Sequence, residues 1–353
     1  MEPECCGLKR WLVTGGCGFI GRNLIAELVR EGGHEIVALD NQQVGTAADL
    51  EAALVGCRPH SSSSVRVVTA DIREAGALAS VCLDRDVIVH LAANTGVVPS
   101  IEDPRADCIS NVMGTLNCLE AARHGAAARF VFASSGAPLG VVEPPMHEEK
   151  AARPCSPYGA SKLAGEGYCS AYWHSYSLET VALRFGNVYG PHSSHKTSVV
   201  ARFVQQALDG EPLIVNGDGN QTRDFIYVGD LVEAIRRAAA VPDVGGHVFQ
   251  IATSQETTVL ELASALVEVL HEHGIADVGL RHGPGRIGDV RRNFSDTTKA
   301  RRLLTWEART SLRGGLARTV AWFLDERAMA AAALANITNS HPSARDGVAA
   351  GLS

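Results

Sequence analysis

The sequence predicts an α/β chain, a doubly wound parallel sheet followed by a smaller α/β unit. Three observations carry this. Short apolar runs alternate with stretches of helical periodicity over the first two-thirds of the 353 residues. A glycine-rich turn joins the first apolar run to the first helical stretch. The alternation changes character after Arg184.

Trp11–Thr14 is a short apolar run, and Phe19–Arg30 has helical spacing closed by Gly32-Gly33. Further strands are expected at Glu35–Leu39, Val65–Thr69, Val87–Leu91, Arg129–Ala133 and Thr180–Arg184. Long helices are expected at Cys108–His124 and Tyr158–Tyr176. Beyond Arg184, Gly186–Lys196 reads as loop, while Ser198–Leu208 and Thr258–His271 read as helices of a cap. Arg223–Tyr227 is expected to return to the main body. From about Arg327 the chain turns Ala-rich, then Ser/Asn/Gly-rich, and reads as a flexible tail over 327–353.

Composition narrows the class. Hydrophobic residues at 46% and charged residues at 20% are ordinary for a globular chain. A net charge of −7 without a basic run argues against a nucleic-acid partner, so an anionic substrate needs local Lys or Arg. Nine cysteines with no C-x-x-C pair point to reduced thiols, a cytoplasmic location and no metal site. Neither a signal peptide nor a membrane span is expected.

The turn Thr14-Gly15-Gly16-Cys17-Gly18-Phe19-Ile20-Gly21 is placed to let backbone N–H groups and a helix N-terminus approach a pyrophosphate. Its spacing is G-x-x-G-x-x-G. Gly15, Gly18, Phe19, Ile20 and Gly21 are the candidate contacts. Asp40, with Asn41 beside it, closes the second strand where a carboxylate can bond both ribose hydroxyls and repel a 2′-phosphate. The expected cofactor is therefore NAD on a Rossmann-type sheet. Asp71 and Ile72 are placed to hold the adenine, and Leu91, Ala92 and Ala93 are small enough to let a cofactor lie close. His90 reads as structural.

Tyr158 and Lys162, four apart at a helix start, share one face. An ammonium there favours the phenolate, which makes Tyr158 a base for a sugar hydroxyl. Ser135, past the fifth strand, is placed to bond the reacting oxygen, with Ser134 as the neighbour that orients it.

With these motifs, His90-Leu-Ala-Ala, Asn111 with Gly114-Thr115, Arg184-Phe-Gly-Asn-Val-Tyr-Gly-Pro191 and Gly219-Asn-Gln-Thr-Arg-Asp-Phe-Ile, the chain resembles the extended short-chain dehydrogenase/reductase family. The branch it resembles is that of NAD-dependent nucleotide-sugar epimerases similar to UDP-glucose 4-epimerase. The resemblance implies catalysis by Ser135, Tyr158 and Lys162, with Tyr158, Lys162 and Asn111 also against NAD. It implies that Asn187 and Arg223 hold the substrate diphosphate, and that Arg286 and Asp289 hold the phosphate and nucleotide ribose. Residues 212–216, Val215 among them, flank the base, and Thr95, Ser134 and Ser135 face the sugar. The implied division is an NAD-binding domain over 8–185, rejoined by about 223–252, and a nucleotide-sugar domain over 186–222 and 253–325. Relatives form homodimers through a bundle of two helices from each subunit, here Cys108–His124 and Tyr158–Tyr176.

The reaction expected is 4-epimerisation of a nucleotide sugar, UDP-linked, through a 4-keto intermediate. The family's 4,6-dehydratases carry an Asp-Glu pair after the catalytic Ser/Thr, and its decarboxylases a Glu beside it. Here Gly136 and Ala137 follow Ser135. A decarboxylase and a 4-ketoreductase stay open as alternatives, and intact Ser135, Tyr158 and Lys162 argue against a non-enzymatic scaffold. Pro138-Leu139-Gly140 stands where epimerases typically have Val-Tyr-Gly in a loop lining the sugar pocket. His192, His195 and Lys196 either meet a charged sugar or simply line a loop.

Overall fold

The structure is a computed structural model and describes residues 9–57, 62–285 and 290–339. The chain opens with β1 (Lys9–Thr14), α1 (Phe19–Glu31), β2 (His34–Asp40), α2 (Ala47–Leu54), β3 (Ser64–Thr69), α3 (Ala75–Cys82) and β4 (Val87–His90). It continues through α4 (Val97–Glu102), α5 (Pro104–Cys108), a π turn (Ile109–Met113), α6 (Gly114–His124) and β5 (Arg129–Ser135). Then come α7 (Pro157–Tyr176), β6 (Glu179–Phe185), β7 (Asn187–Tyr189), α8 (Val199–Leu208), β8 (Leu213–Asn216), β9 (Thr222–Arg223) and β10 (Phe225–Tyr227). The last elements are α9 (Val228–Ala240), β11 (His247–Ile251), β12 (Thr257–Thr258), α10 (Val259–Glu272), β13 (Leu280–Gly283), α11 (Thr298–Leu304) and α12 (Leu312–Asn339).

Seven strands form one sheet in the order β11-β6-β5-β4-β1-β2-β3, every pair parallel. This is a doubly wound Rossmann-type sheet. Its order reverses beside β1, which opens a crevice at the strands' C-terminal ends. Both faces are covered, so successive residues of a strand enter different cores. Val13, Ile36 and Ala38 pack with Leu24, Ile25 and Leu231 under α1 and α9. Leu12, Val37 and Leu39 pack with Leu119, Cys169 and Tyr172 under α6 and α7.

A third core joins α8, α10, α12 and β8 through Phe203, Leu266, Leu316 and Val215. Phe225–Tyr227 pairs with β7 in a separate two-stranded sheet, and after it α9 packs on the main body and β11 adds the seventh strand. Two expectations need revising. Ala300, Leu304 and Trp306, around α11, pack into the main body's core rather than the smaller unit's. The stretch read as a tail from 327 is helical to Asn339, because alanine is the best helix former and the Ala-rich run extends α12. The helix expected over Cys108–His124 is present with a π turn at its start, where Thr115 Oγ1 donates to the Asn111 carbonyl at 2.6 Å.

Candidate active site

The crevice is a cleft of about 240 Å³ at the C-terminal ends of the central strands. The turn after β1 forms its floor. Gly15 has φ +71°, and a Cβ on Gly21 would stand 2.3 Å from the Gly15 carbonyl oxygen, so the turn tolerates no side chain there. The N-terminus of α1 follows without a side-chain cap or an acidic residue in its first turn. Its free N–H groups and partial positive charge are left for an anion. Asp40 ends β2 and lines the cleft. Its carboxylate accepts the Cys17 N–H at 3.0 Å and the Gln42 N–H at 2.8 Å, and burial raises its pKa. Asp71 accepts from Asn41 at 2.9 Å and from Arg73 in a paired contact at 2.8 and 2.9 Å, and Arg73 holds its pKa well below the usual range.

Opposite the turn, α7 begins at Ser156, whose hydroxyl accepts the Gly159 N–H at 3.1 Å. At Gly165 a Cβ would meet the Phe132 ring at 2.3 Å, so glycine lets α7 lie directly on β5. That approach points Tyr158 and Lys162 into the cleft. The Lys162 ammonium donates to the Ala133 carbonyl at 2.8 Å and lies 5.9 Å from the centre of the Tyr158 ring. Burial lowers the Lys162 pKa to about 8, with Asp107 and Glu166 acting against it. Burial raises Tyr158 to about 12, with a smaller upward push from Asp107. The Ser135 hydroxyl bonds the phenol and works in the opposite direction.

Beneath the pair lies a buried network. Glu166 accepts the Ser134 hydroxyl at 2.5 Å and takes Arg184 through two contacts at 2.8 and 2.7 Å. His90 lies between Thr14 Oγ1 at 2.8 Å and Thr115 Oγ1 at 3.0 Å. Thr115 spends its own proton on the Asn111 carbonyl, so His90 Nε2 is the donor and Nδ1 the acceptor. Burial lowers the His90 pKa to about 3, which leaves it neutral and structural.

A second cleft, of about 360 Å³, opens on the smaller unit. Asn187 and Arg223 line it, with Arg202, Asn216 and Gln221. Arg223 donates to the carbonyls of Thr222 at 2.6 Å and Val290 at 2.7 Å, which hold its guanidinium at the rim.

The profile of the NAD dependent epimerase/dehydratase family matches residues 11–252. The chain belongs to that family. It is 38% identical to the UDP-glucose 4-epimerase of Mycolicibacterium smegmatis, over 89% of this chain and 98% of that one. A UDP-glucose 4-epimerase of Thermotoga maritima solved with UDP-glucose superimposes with a TM-score of 0.80 at 31% identity, covering 90% of this chain and 99% of the other. A Thermus thermophilus UDP-glucose 4-epimerase in complex with NAD gives 0.78 at 33% identity, covering 89% and 98%. Proteins named dTDP-glucose 4,6-dehydratase are also similar, at 33% identity.

The cofactor of this family is NAD, and the first cleft fits a dinucleotide: it holds an uncapped helix N-terminus that can take an anion, and the Asp40 carboxylate on its wall can accept from hydroxyls. Of the residues the sequence singles out, Gly15, Gly18, Phe19, Ile20, Gly21, Asp40, Asn41, Asp71, Ile72, Leu91, Ala92, Ala93, Thr95, Ser134, Tyr158 and Lys162 all line this cleft. Ser135 stands beside Tyr158, outside the cleft wall, and also accepts the Ala137 N–H at 3.2 Å. Asn111 is buried behind the wall. Its amide bonds the Asn94 backbone at 2.8 and 2.9 Å, so it holds the Asn94–Thr95 segment in place and does not line the cleft itself. Val215 is wholly buried in the third core, and Asn216 beside it faces the second cleft. Leu139 is also fully buried, packed inward from the loop expected to line the sugar pocket. Arg286 and Asp289 lie outside the described residues.

Sequence reasoning missed Gln43, Val44 and Gly45, which line the cleft after Asp40, and Phe185 at the end of β6. Position past a strand end was the available signal for each. It left open the setting of His195 and Lys196. Both line the first cleft, while His192 packs against Trp322 at 4.9 Å.

Proposed function

We propose that this chain inverts the C4 hydroxyl of a UDP-linked sugar, with NAD as its cofactor. The observation that carries this is the Ser135–Tyr158–Lys162 group, with no carboxylate at Gly136 or Ala137. Such a site can exchange a hydride and a proton, and at these two positions it lacks the acid and base that would expel water. The UDP-sugar names and ligands of the relatives support the choice of nucleotide.

Tyr158 takes the proton of the 4-hydroxyl, and Ser135 donates a hydrogen bond to the same oxygen. Lys162 holds positive charge beside the phenolate. Bound in the first cleft, NAD would supply the hydride acceptor and donor for C4 and positive charge beside Tyr158. Asn187 and Arg223 hold the diphosphate while the 4-keto sugar turns about it, and Tyr158 then gives back the proton. Arg286 and Asp289 complete the grip on the nucleotide in this reading.

The assembly in this reading is a homodimer. Along the outer side of α7, Ala160, Gly167, Tyr168 and Ala171 are exposed, and Ile101, Ile109 and Met113 are exposed on the neighbouring helices. Small residues flanked by large apolar ones suit close helix packing against a second copy. The free cysteines among the described residues support a cytoplasmic location.

The test is conversion of UDP-, dTDP-, GDP- and CDP-sugars by the purified chain without added cofactor, followed by NMR and mass. An isomer of unchanged mass is expected. Loss of carbon dioxide would mean a decarboxylase, and consumption of added reduced cofactor a ketoreductase. Tyr158→Phe should lower turnover by at least about a hundredfold while keeping the fold. Near-normal turnover in that variant would sink the assignment.

A further inference from the structure

The loop between β7 and α8 is a wall common to both clefts. His195 and Lys196 face the first cleft, and the next two residues, Thr197 and Ser198, face the second. The wall is fixed from both sides. Arg22, in the first turns of α1, donates to the His192 carbonyl at 3.0 Å and contacts His195 Nδ1 at 3.5 Å. From the other side, Glu326 of α12 accepts the Ser194 hydroxyl at 3.0 Å.

The tie to Arg22 sets where the loop stands along the first cleft. Arg22 is one residue past Gly21, so the loop is tied to the first turns of α1, and its His195 and Lys196 line the same cleft as Gly18 and Phe19. Lys196 is half-buried there, and its ammonium has no hydrogen bond or ion pair among the described residues. Burial lowers its pKa, and no carboxylate acts against that. A desolvated ammonium without a partner is a standing cost until an anion arrives. A helix N-terminus supplies only about half a positive charge, and a dinucleotide pyrophosphate carries two negative ones.

We propose that Lys196 binds the pyrophosphate of NAD from the side opposite the glycine-rich turn, so that the cofactor is clamped between α1 and this loop. Lys196 is then a cofactor ligand, while Arg22 and Glu326 hold the loop in place. The diphosphate of the sugar nucleotide falls to Arg223 across the wall. Because His195 to Ser198 border both clefts, the loop that retains the cofactor also borders the substrate.

The proposal rests on NAD as cofactor, not on which reaction the site performs, so it is tested by binding alone. Full-length wild type, Lys196→Met and Lys196→Arg are stripped of cofactor and titrated with NAD, ADP-ribose and UDP at low and high salt. Loss of one charge-assisted contact should weaken NAD and ADP-ribose binding by about tenfold or more in Lys196→Met. Its salt dependence should flatten, UDP binding should stay unchanged, and Lys196→Arg should recover most of the loss. The melting temperature of each stripped protein reports folding separately. Unchanged NAD affinity in a folded Lys196→Met protein overturns the proposal. So does an equal or greater loss for UDP, which would move the contact to the other cleft. If Lys196→Met does not fold, wild type and Lys196→Arg decide the matter between them: ADP-ribose affinity that ignores salt in both also overturns it.

Discussion

Replacing Lys162 by methionine should stabilise the cofactor-free protein while abolishing its activity. Lys162 is 4% exposed, and its pKa falls from 10.5 to about 8 because burial disfavours the ammonium. That gap of about 2.5 corresponds to roughly 3 kcal/mol, which folding spends at neutral pH on keeping a charge out of water. Methionine removes the charge and keeps most of the volume. It leaves the Ala133 carbonyl, now 2.8 Å from the ammonium, without its donor, at a cost of about 1 kcal/mol. The net gain is roughly 2 kcal/mol, a rise of a few degrees in melting temperature at pH 7. The pH dependence has a definite sign. Between about 8 and 10.5 the unfolded chain holds a proton that the folded one has released, so wild-type stability from this group rises with pH across that window. The advantage of the variant should therefore shrink above about pH 8, vanish near pH 10 and turn into a small deficit beyond it. Asp107, Glu166 and Cys169 also face the ammonium, and their influence is already contained in the lowered value. Melting curves of both stripped proteins at several pH values test this. A variant less stable than wild type at pH 7, or a gain independent of pH, refutes the reasoning.

Two other substitutions probe the cleft and its support. Asp40→Ala should weaken NAD binding by about tenfold to a hundredfold, through loss of hydrogen bonds to a charged group, and admit NADP more readily; parallel titrations check it, and unchanged rejection of NADP would count against the ribose assignment. Glu166→Leu leaves the Arg184 guanidinium buried without its carboxylate, since both are 5% exposed, and should cost about 3–5 kcal/mol in unfolding experiments. Adding Arg184→Met should recover much of that loss. A single variant as stable as wild type would show that the pair does not support the fold.

The parallel sheet was legible because its strands are buried on both faces and so appear as plain apolar runs, such as Val87-Ile88-Val89. The cleft was legible because its residues follow strand ends at fixed distances from those runs. The helices α2 and α3 escaped notice because each is eight residues long and rich in small side chains, so periodicity has little to act on. Yet α2 carried a signal in Thr46 and Asp49, which cap it reciprocally. The Ala-rich end of α12 was misread because low complexity resembles a tail, although alanine propagates a helix well. Asn111 and Val215 illustrate a different limit. A motif says that a residue belongs near a site, but whether it faces the ligand or braces the wall depends on burial, and that is a property of the packed chain.

One covalent detail fixes how close the two clefts stand. Phe185 ends β6 against the first cleft, Asn187 opens β7 against the second, and Gly186 alone lies between them. Consecutive Cα atoms are about 3.8 Å apart, so the two positions can never separate by more than about 7.6 Å. The Gly186 and Asn187 N–H groups are also tied, to the carbonyls of Ile251 at 2.9 Å and Asp224 at 2.8 Å. The Cα positions that border the two clefts here thus stay within a dipeptide's length of each other, so a molecule lodged in one cleft has the other as its immediate neighbour.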